Sequence, residues 1–339
     1  MLVRMVIVLA CILLVASGQA QQIKLLASGR PVSLRGLSIV SDQIIWVSGS
    51  AGSVGLSTDG GKSWKWILVP HYEKSDFRDI EAFSDQQAII MGITEPAVIL
   101  RTTDAGKSWK TVFEDSSKSV FLDAMDFYLN NGAVVGDPVD GNIFFARSTD
   151  SGKTWTRTEP SGFHSTVAGE SFFAASGSNL VLNPVGNGGT TEEPLIVSGG
   201  VKSCLYIKTS RYPLQINQGK ETTGANSISV NPWNREQAFI VGGDFKQDTL
   251  KRGNSIMIGL NPFSQTIPDT TPNGYRSCVE YINEKQLICC GTTGVDFSND
   301  GGLNWKLIST LGFHVCRRSK SGNALFFAGP QGAIARLLL

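Results

Sequence analysis

Seven short apolar runs, each ending in glycine, punctuate the chain: QIIWVSG (43–49), QAIIMG (87–92), GAVVG (132–136), PLIVSGG (194–200), QAFIVGG (237–243), QLICCG (286–291) and NALFFAG (323–329). Runs like these, rich in Ile, Val and Phe and bounded by Gly, Ser and Asn, predict buried β-strands. Before each run lies a further stretch in which apolar and polar positions mix. These stretches are SLRGLSIV (33–40), DFRDIEAF (76–83), VFLDAMDF (120–127), HSTVAGESFF (164–173), GANSISV (224–230), GYRSCVEYI (274–282) and GFHVCRRS (312–319). Short strands also follow, among them WKWILV (64–69), WKTVFE (109–114) and WKLIST (305–310). The pattern predicts seven strand-built units.

Four units carry one octapeptide frame ahead of the last strand: STDGGKSW (57–64), TTDAGKSW (102–109), STDSGKTW (148–155) and SNDGGLNW (298–305). Their aspartates, Asp59, Asp104, Asp150 and Asp300, stand 45, 46 and 150 positions apart, so the last interval hides two units without the frame. A period in the forties built from strands marks the blades of a propeller, and 21–339 shared by seven units leaves about 46 residues each. Each part of the frame has a folding role. The Asp carboxylate can accept N–H bonds from the residues after it. The glycine two places on (Gly61, Gly106, Gly152, Gly302) supplies a positive φ. The tryptophan five places on (Trp64, Trp109, Trp155, Trp305) packs its ring against the blade. Since the frames fall on different blades near the rim, they predict architecture and no metal or catalytic centre.

The ends of the chain complete the prediction. The seventh unit stops at GAIARLLL (332–339) without an outer strand, and QQIKLLASG (21–29) is left over at the start. Placing the latter beside the former closes the ring and leaves only short, protected sheet edges. The expected fold is all-β: a seven-bladed β-propeller over 21–339, closed by its N-terminal strand in the last blade.

The frame, S/T-x-D-x-G-x-x-W, resembles the Asp-box or BNR repeat of sialidases and other secreted glycosidases, of sortilin-type propellers and of photosystem II stability/assembly-factor-like propellers. Over 21–339 the chain most resembles the last group, including its non-photosynthetic bacterial branch. Segments 76–92 and 99–110 carry the likeness best. The resemblance implies a non-enzymatic scaffold that assists assembly of a membrane protein complex. An oxidoreductase label attached to some bacterial members finds no support in these residues.

Composition narrows the function further. A chain of 339 residues with 41% hydrophobic and 17% charged residues is ordinary for a globular protein. Its net charge of +1 makes no electrostatic case for nucleic-acid or membrane-surface binding. Arg4, the apolar run MVIVLACILLVA (5–16) and the small residues Ser17-Gly18-Gln19-Ala20 read as a signal peptide over 1–20. Export to the periplasm or beyond is therefore expected, and no other segment resembles a membrane span. Cys11 gives a fainter likeness to a lipoprotein box, but the apolar run continues past it. Five cysteines remain (Cys204, Cys278, Cys289, Cys290, Cys316), odd in number and in no zinc-site spacing, so buried thiols are expected. No cofactor is expected: there is no G-x-G-x-x-G opening a helix after a strand and no C-x-x-C-H. His71, His164 and His314 fall on different units, so no histidine metal site is expected either.

Binding in propellers centres on the channel lined by the innermost strands. There an apolar residue (Leu34, Phe77, Phe121, Tyr275, Phe313) is followed by Arg35, Arg78, Leu122, Arg276 and His314. Three Arg and one His at one register predict a cationic mouth suited to an acidic segment of a partner protein or a small anionic ligand, because guanidinium grips carboxylate as a fork. The bland alternative pairs each Arg with a nearby acid such as Asp79 or Glu280. His164 and Glu170 also fall near that mouth, and Asp126, Glu170 and Glu280 read as internal partners. A second function class is a sialidase-like exo-glycosidase, in which Arg35, Arg78 and Arg276 hold a carboxylate. Glu170 beside Tyr275 would then form the nucleophile and Asp79 the acid. Against it, the first blade reads Leu34-Arg35-Gly36-Leu37, not F/Y-R-I-P, and sialidases have six blades. The polar stretches 183–194 and 242–255 are expected to be exposed loops.

Overall fold

Strands this short and this apolar can bury both faces only by stacking sheet on sheet. The computed structural model describes residues 21–158, 166–185 and 191–338, which form seven antiparallel sheets in a seven-bladed β-propeller. The innermost strands of blades I to VII are Leu34–Ile39, Phe77–Ala82, Leu122–Tyr128, Leu180–Val185, Thr223–Val230, Cys278–Tyr281 and Val315–Arg318. Gln22–Ala27 is the outermost strand of blade VII, antiparallel to Ile334–Leu338 with Gln22 opposite Leu338. The ring closes as the leftover ends required.

The core lies between blades. Every position of Ile45–Gly49, Ala88–Gly92 and Leu287–Gly291 is buried, whereas outermost strands such as Lys65–Leu68 are partly exposed. Trp46 and Val54 of blade I pack with Phe77, Ile80 and Ile90 of blade II in one cluster. Each such side chain contributes about 1.5–3 kcal/mol of burial, so the inter-blade seams carry most of the stabilisation.

The four octapeptide turns share one geometry. In the first, Ser57 Oγ donates to Asp59 Oδ1 (2.8 Å) and accepts from Gly61 N (2.9 Å), while Asp59 also accepts from Ser63 N and Oγ. The same bonds recur around Asp104, Asp150 and Asp300. Gly61, Gly106, Gly152 and Gly302 have φ of 84°, 74°, 72° and 95°. A Cβ on Gly152 would lie 2.1 Å from Ile89 Cδ1 of blade II, so the turn also packs on the preceding blade. Trp64 and Trp305 donate to the carbonyls of Gly61 and Gly302, and Trp155 meets Phe127 edge-on at 5.7 Å. What the sequence pattern did not reveal is the role of Ser57, Thr102, Ser148 and Ser298, whose hydroxyls join the aspartate to the glycine N–H.

Blade IV departs from expectation. Its innermost strand is Leu180–Val185, not 164–173. That strand pairs with Thr191–Val197 out to Val185 opposite Thr191, so much of 183–194 is hairpin rather than loop. The displaced chain instead contributes Glu170–Ser171, which pairs with Gly199–Gly200, and these extend the sheet of blade V toward the axis. All five described cysteines are buried free thiols.

Candidate functional site

The glycine that ends each second strand explains how side chains reach the axis. A Cβ on Gly49 would lie 2.2 Å from Ser33 O, and one on Gly136 2.3 Å from Phe121 O. At this close approach the inner strand carries one extra residue: the register shifts between Leu34 and Gly36, Phe77 and Asp79, Leu122 and Ala124, and Ala225 and Ser227. The extra residues are Arg35, Arg78, Asp123 and Asn226, and a bulge re-aims its side chain. Gly291 meets Tyr275 O in the same way, which makes Ser277 the equivalent position in blade VI; in blade VII it is His314.

Arg276 therefore lies one place earlier, at the register of Leu34, Phe77 and Leu122, where side chains point into the blade. It is fully buried and pairs with Asp296, with further bonds to Tyr275 O and Thr293 Oγ1 (both 2.8 Å). The expectation that Arg276 joins the cationic mouth is corrected: the run Tyr275-Arg276 mimics Leu34-Arg35 in sequence but is offset by one residue. For the same reason the axial residue of blade III is Asp123, not Leu122.

The upper end of the channel, where the inner strands begin, holds a cavity of about 470 Å3. Arg35, Arg78 and His314, from the neighbouring blades I, II and VII, line it together with Phe173, Phe245 and Tyr275. Arg35 gives Nη1 to Ala175 O (3.1 Å), and Arg78 gives Nε to Asp76 (2.8 Å). Among the described residues, Nε and Nη2 of Arg35 and both Nη of Arg78 donate to no protein atom. His314 is not a third cation. Burial first, then Arg35 and Arg78, push its pKa down to about 3, and it shares a 3.1 Å hydrogen bond with Ser33 Oγ. Burial and then Arg78 also lower the Arg35 guanidinium from its usual value. Asp76 offsets part of this charge, and burial raises Asp137 on the cavity wall. Asp123, the axial residue of blade III, is fully buried; burial, then Asp137, drive its pKa well up, against the opposing pull of Arg78 and of the N–H groups of Ala174 and Asp137.

The channel is closed below this cavity. Residues 174–178 cross the axis and are held by blades on every side. Ser176 Oγ donates to Ser277 O (2.7 Å), Arg317 Nη2 to Ser176 O (2.9 Å) and Ser178 Oγ to Ser227 Oγ (2.8 Å). Gly177, at φ 63°, sits against blade II so tightly that a Cβ would lie 2.1 Å from Asp79 Oδ2. Ala174 and Ala175 floor the upper cavity, while Gly177 and Ser178 roof a lower one of about 260 Å3 lined by Glu81, Asp126, Glu280, Arg317 and Lys320. Burial raises Asp126 and Glu280 to about 7.

The residues proposed for hydrolysis are not brought together. Glu170 is buried and accepts from Ser198 Oγ, Tyr206 OH (2.6 Å) and Arg211 Nη2 (2.7 Å), anchoring the chain that leads to the plug. Tyr275 lines the upper cavity and donates to Asn226 (2.8 Å), and burial raises its pKa beyond the ordinary phenol range. Asp79 lines the lower cavity and accepts from Ile80 N and Met125 N (both 2.8 Å); burial drives its pKa well up. His164 lies outside the described residues. Of the internal pairs expected, Asp126 accepts from Leu182 N (2.6 Å), but Arg78 takes Asp76 rather than Asp79. Among the described residues no cluster of His, Cys, Asp and Glu could hold a metal ion. Phe173 and Phe245 escaped sequence reading because they lie in the displaced stretch and in a polar insertion.

No family model and no curated protein match the chain. Among solved structures, one described as YCF48 bound to D1 peptide is similar with a TM-score of 0.62 at 16% identity, covering 95% of this chain and 96% of that one. YCF48 from Cyanidioschyzon merolae gives 0.61 at 16%, covering 94% and 98%. The Niastella koreensis GH74 enzyme gives 0.62 at 14%, but only 53% of its own length is covered. A peptide-bound protein and an enzyme thus share this architecture, so function has to be argued from the site. The chain has a YCF48-like β-propeller fold.

Proposed function

We propose that the protein is an exported, non-catalytic binding module whose upper mouth engages an acidic segment of a partner protein. The observation that carries this reading is the pair of guanidinium forks, Arg35 and Arg78, which line a cavity over a closed floor and keep N–H groups beyond those bonded to Ala175 O and Asp76. Carboxylates bind such forks with charge-assisted hydrogen bonds. Because the plug blocks the channel, a partner segment docks on the face and does not thread the ring. The resemblance to assembly-factor propellers, and the peptide bound to a YCF48 of similar fold, support the reading by analogy. Among the described residues no helix is long and apolar enough to cross a membrane; export rests on the apolar run 5–16.

The test compares partner capture from the native envelope fraction by the wild type and by Arg35→Gln/Arg78→Gln. One and the same protein should bind the wild type, elute with salt and be lost with the double variant, with the Tm little changed. Undiminished capture by the double variant overturns the proposal.

A further inference from the structure

The upper cavity is more apolar than a cationic mouth needs to be. In the same lining as Arg35 and Arg78, Phe173 and Phe245 meet edge-on with centroids 6.0 Å apart, and Phe245 meets Tyr275 at 6.3 Å and 75°. Arg78 stands over the Phe121 ring at 5.9 Å, which adds a further aromatic face. Phe245 is 42% exposed although it projects from the polar insertion 242–255, and Leu250 in the same connection is 41% exposed. Gly199 packs so closely on Phe173 that a Cβ there would lie 2.3 Å from its ring, which fixes that ring in the cavity wall. An aromatic wall lining a cavity, with the Phe245 ring left exposed, marks an interaction site.

Resting on the reading that the upper mouth binds an acidic segment, we propose that its recognition unit is bipartite. A carboxylate sits on Arg35 and Arg78, and an aromatic side chain within one or two residues of it anchors against Phe173, Phe245 and Tyr275. Charge complementarity fixes the acid and ring geometry favours an aromatic anchor, since edge-to-face contacts add to simple burial. The occupant is an exposed segment of a partner protein, and the anchor distinguishes it from other acidic chains. Arg35 sets the register of the two halves, because its Nη1 is fixed to Ala175 O in the cavity floor.

Three small probes separate the halves: 3-phenylpropanoate, propanoate and 3-phenylpropan-1-ol, titrated by NMR against the intact protein. 3-Phenylpropanoate should bind at least tenfold more tightly than either of the others. Phe245→Ala should erase its advantage over propanoate while the charged probes keep their preference for wild-type Arg35 and Arg78. Phe245→Leu, which retains bulk without a ring, should recover only part of the advantage. Equal binding of propanoate and 3-phenylpropanoate overturns the aromatic anchor but leaves an acid-binding mouth. Binding of the alcohol as tightly as the acid, unchanged in Arg35→Gln/Arg78→Gln, contradicts the underlying reading instead. Absence of binding by all three probes also overturns the bipartite site.

Discussion

Aspartates at the rim and at the axis of this propeller are the same residue under opposite physical terms. At the rim, the hydroxyl and N–H of Ser63 and Ser108 hold Asp59 and Asp104 down to about 2, and Thr154 does the same for Asp150 against partial desolvation. Near the axis, desolvation raises Asp126 and Glu280 to about 7 and drives Asp79 and Asp123 well above the ordinary range. The rim repeats because hydrogen bonds to a local turn can be reproduced in any blade. The axis cannot repeat, because the blades share one small space, into which six of them send Arg35, Arg78, Asp123, Asn226, Ser277 and His314, five kinds of side chain. Repetition thus builds the ring, and departure from repetition builds the site.

The largest expected effect breaks the fully buried Arg276–Asp296 pair. Asp296→Ala leaves the Arg276 guanidinium buried and unpaired and should cost about 3–5 kcal/mol in denaturant unfolding. Arg276→Leu/Asp296→Val, which restores the apolar residue of the other blades, should recover most of that loss.

Next is the plug. Gly177→Ala places a methyl group against a carboxylate that Ile80 N and Met125 N hold in place, at a positive φ, so a loss of about 2–4 kcal/mol is expected. Retention of wild-type stability would mean that residues 174–178 do not cross the axis as described.

A smaller effect belongs to the rim. Thr102→Val keeps shape but strands the buried Gly106 N–H and should cost about 1–2 kcal/mol by thermal or urea unfolding.

The pH dependence sharpens the contrast most finely. Asp126 and Glu280 bind protons more tightly folded than unfolded. Their effect on stability is therefore a loss as pH rises from their ordinary 3.8 and 4.5 to about 7, with a plateau above. The rim aspartates act oppositely: their contribution is present above 3.8 and fades as pH falls toward about 2. Asp126→Asn/Glu280→Gln should lessen the fall of Tm between about pH 4 and 7 and leave the rim's acid limb below it in place. An unaltered profile in that double variant would show that these two groups do not titrate as described.

Much of the fold was legible because burial repeats. The glycine-ended runs located all seven second strands, and the unpaired ends 21–29 and 332–339 located the closure. The site was legible only in part. Arg35 and Arg78 were found from a shared register, but Arg276 imitated that register one residue out of step, since a bulge leaves no mark in the apolar pattern. The plug was invisible because it replaces a strand with a stretch, Phe173 to Asn179, whose anchoring bonds through Ser176 and Ser178 go to residues about 50 to 140 positions away in sequence. Phe245 was hidden by the polar residues around it, which say nothing of where one ring points.

The central claim is that Arg35 and Arg78 work together above a closed channel, and the salt dependence of binding tests it most directly. Affinity of the captured partner segment, measured by calorimetry over a series of ionic strengths, should fall as salt rises. Its dependence should shrink in each of Arg35→Gln and Arg78→Gln and vanish in the double variant, with Arg276→Leu/Asp296→Val unchanged. Binding that is indifferent to salt, or a dependence that survives loss of both guanidinium groups, would contradict the account.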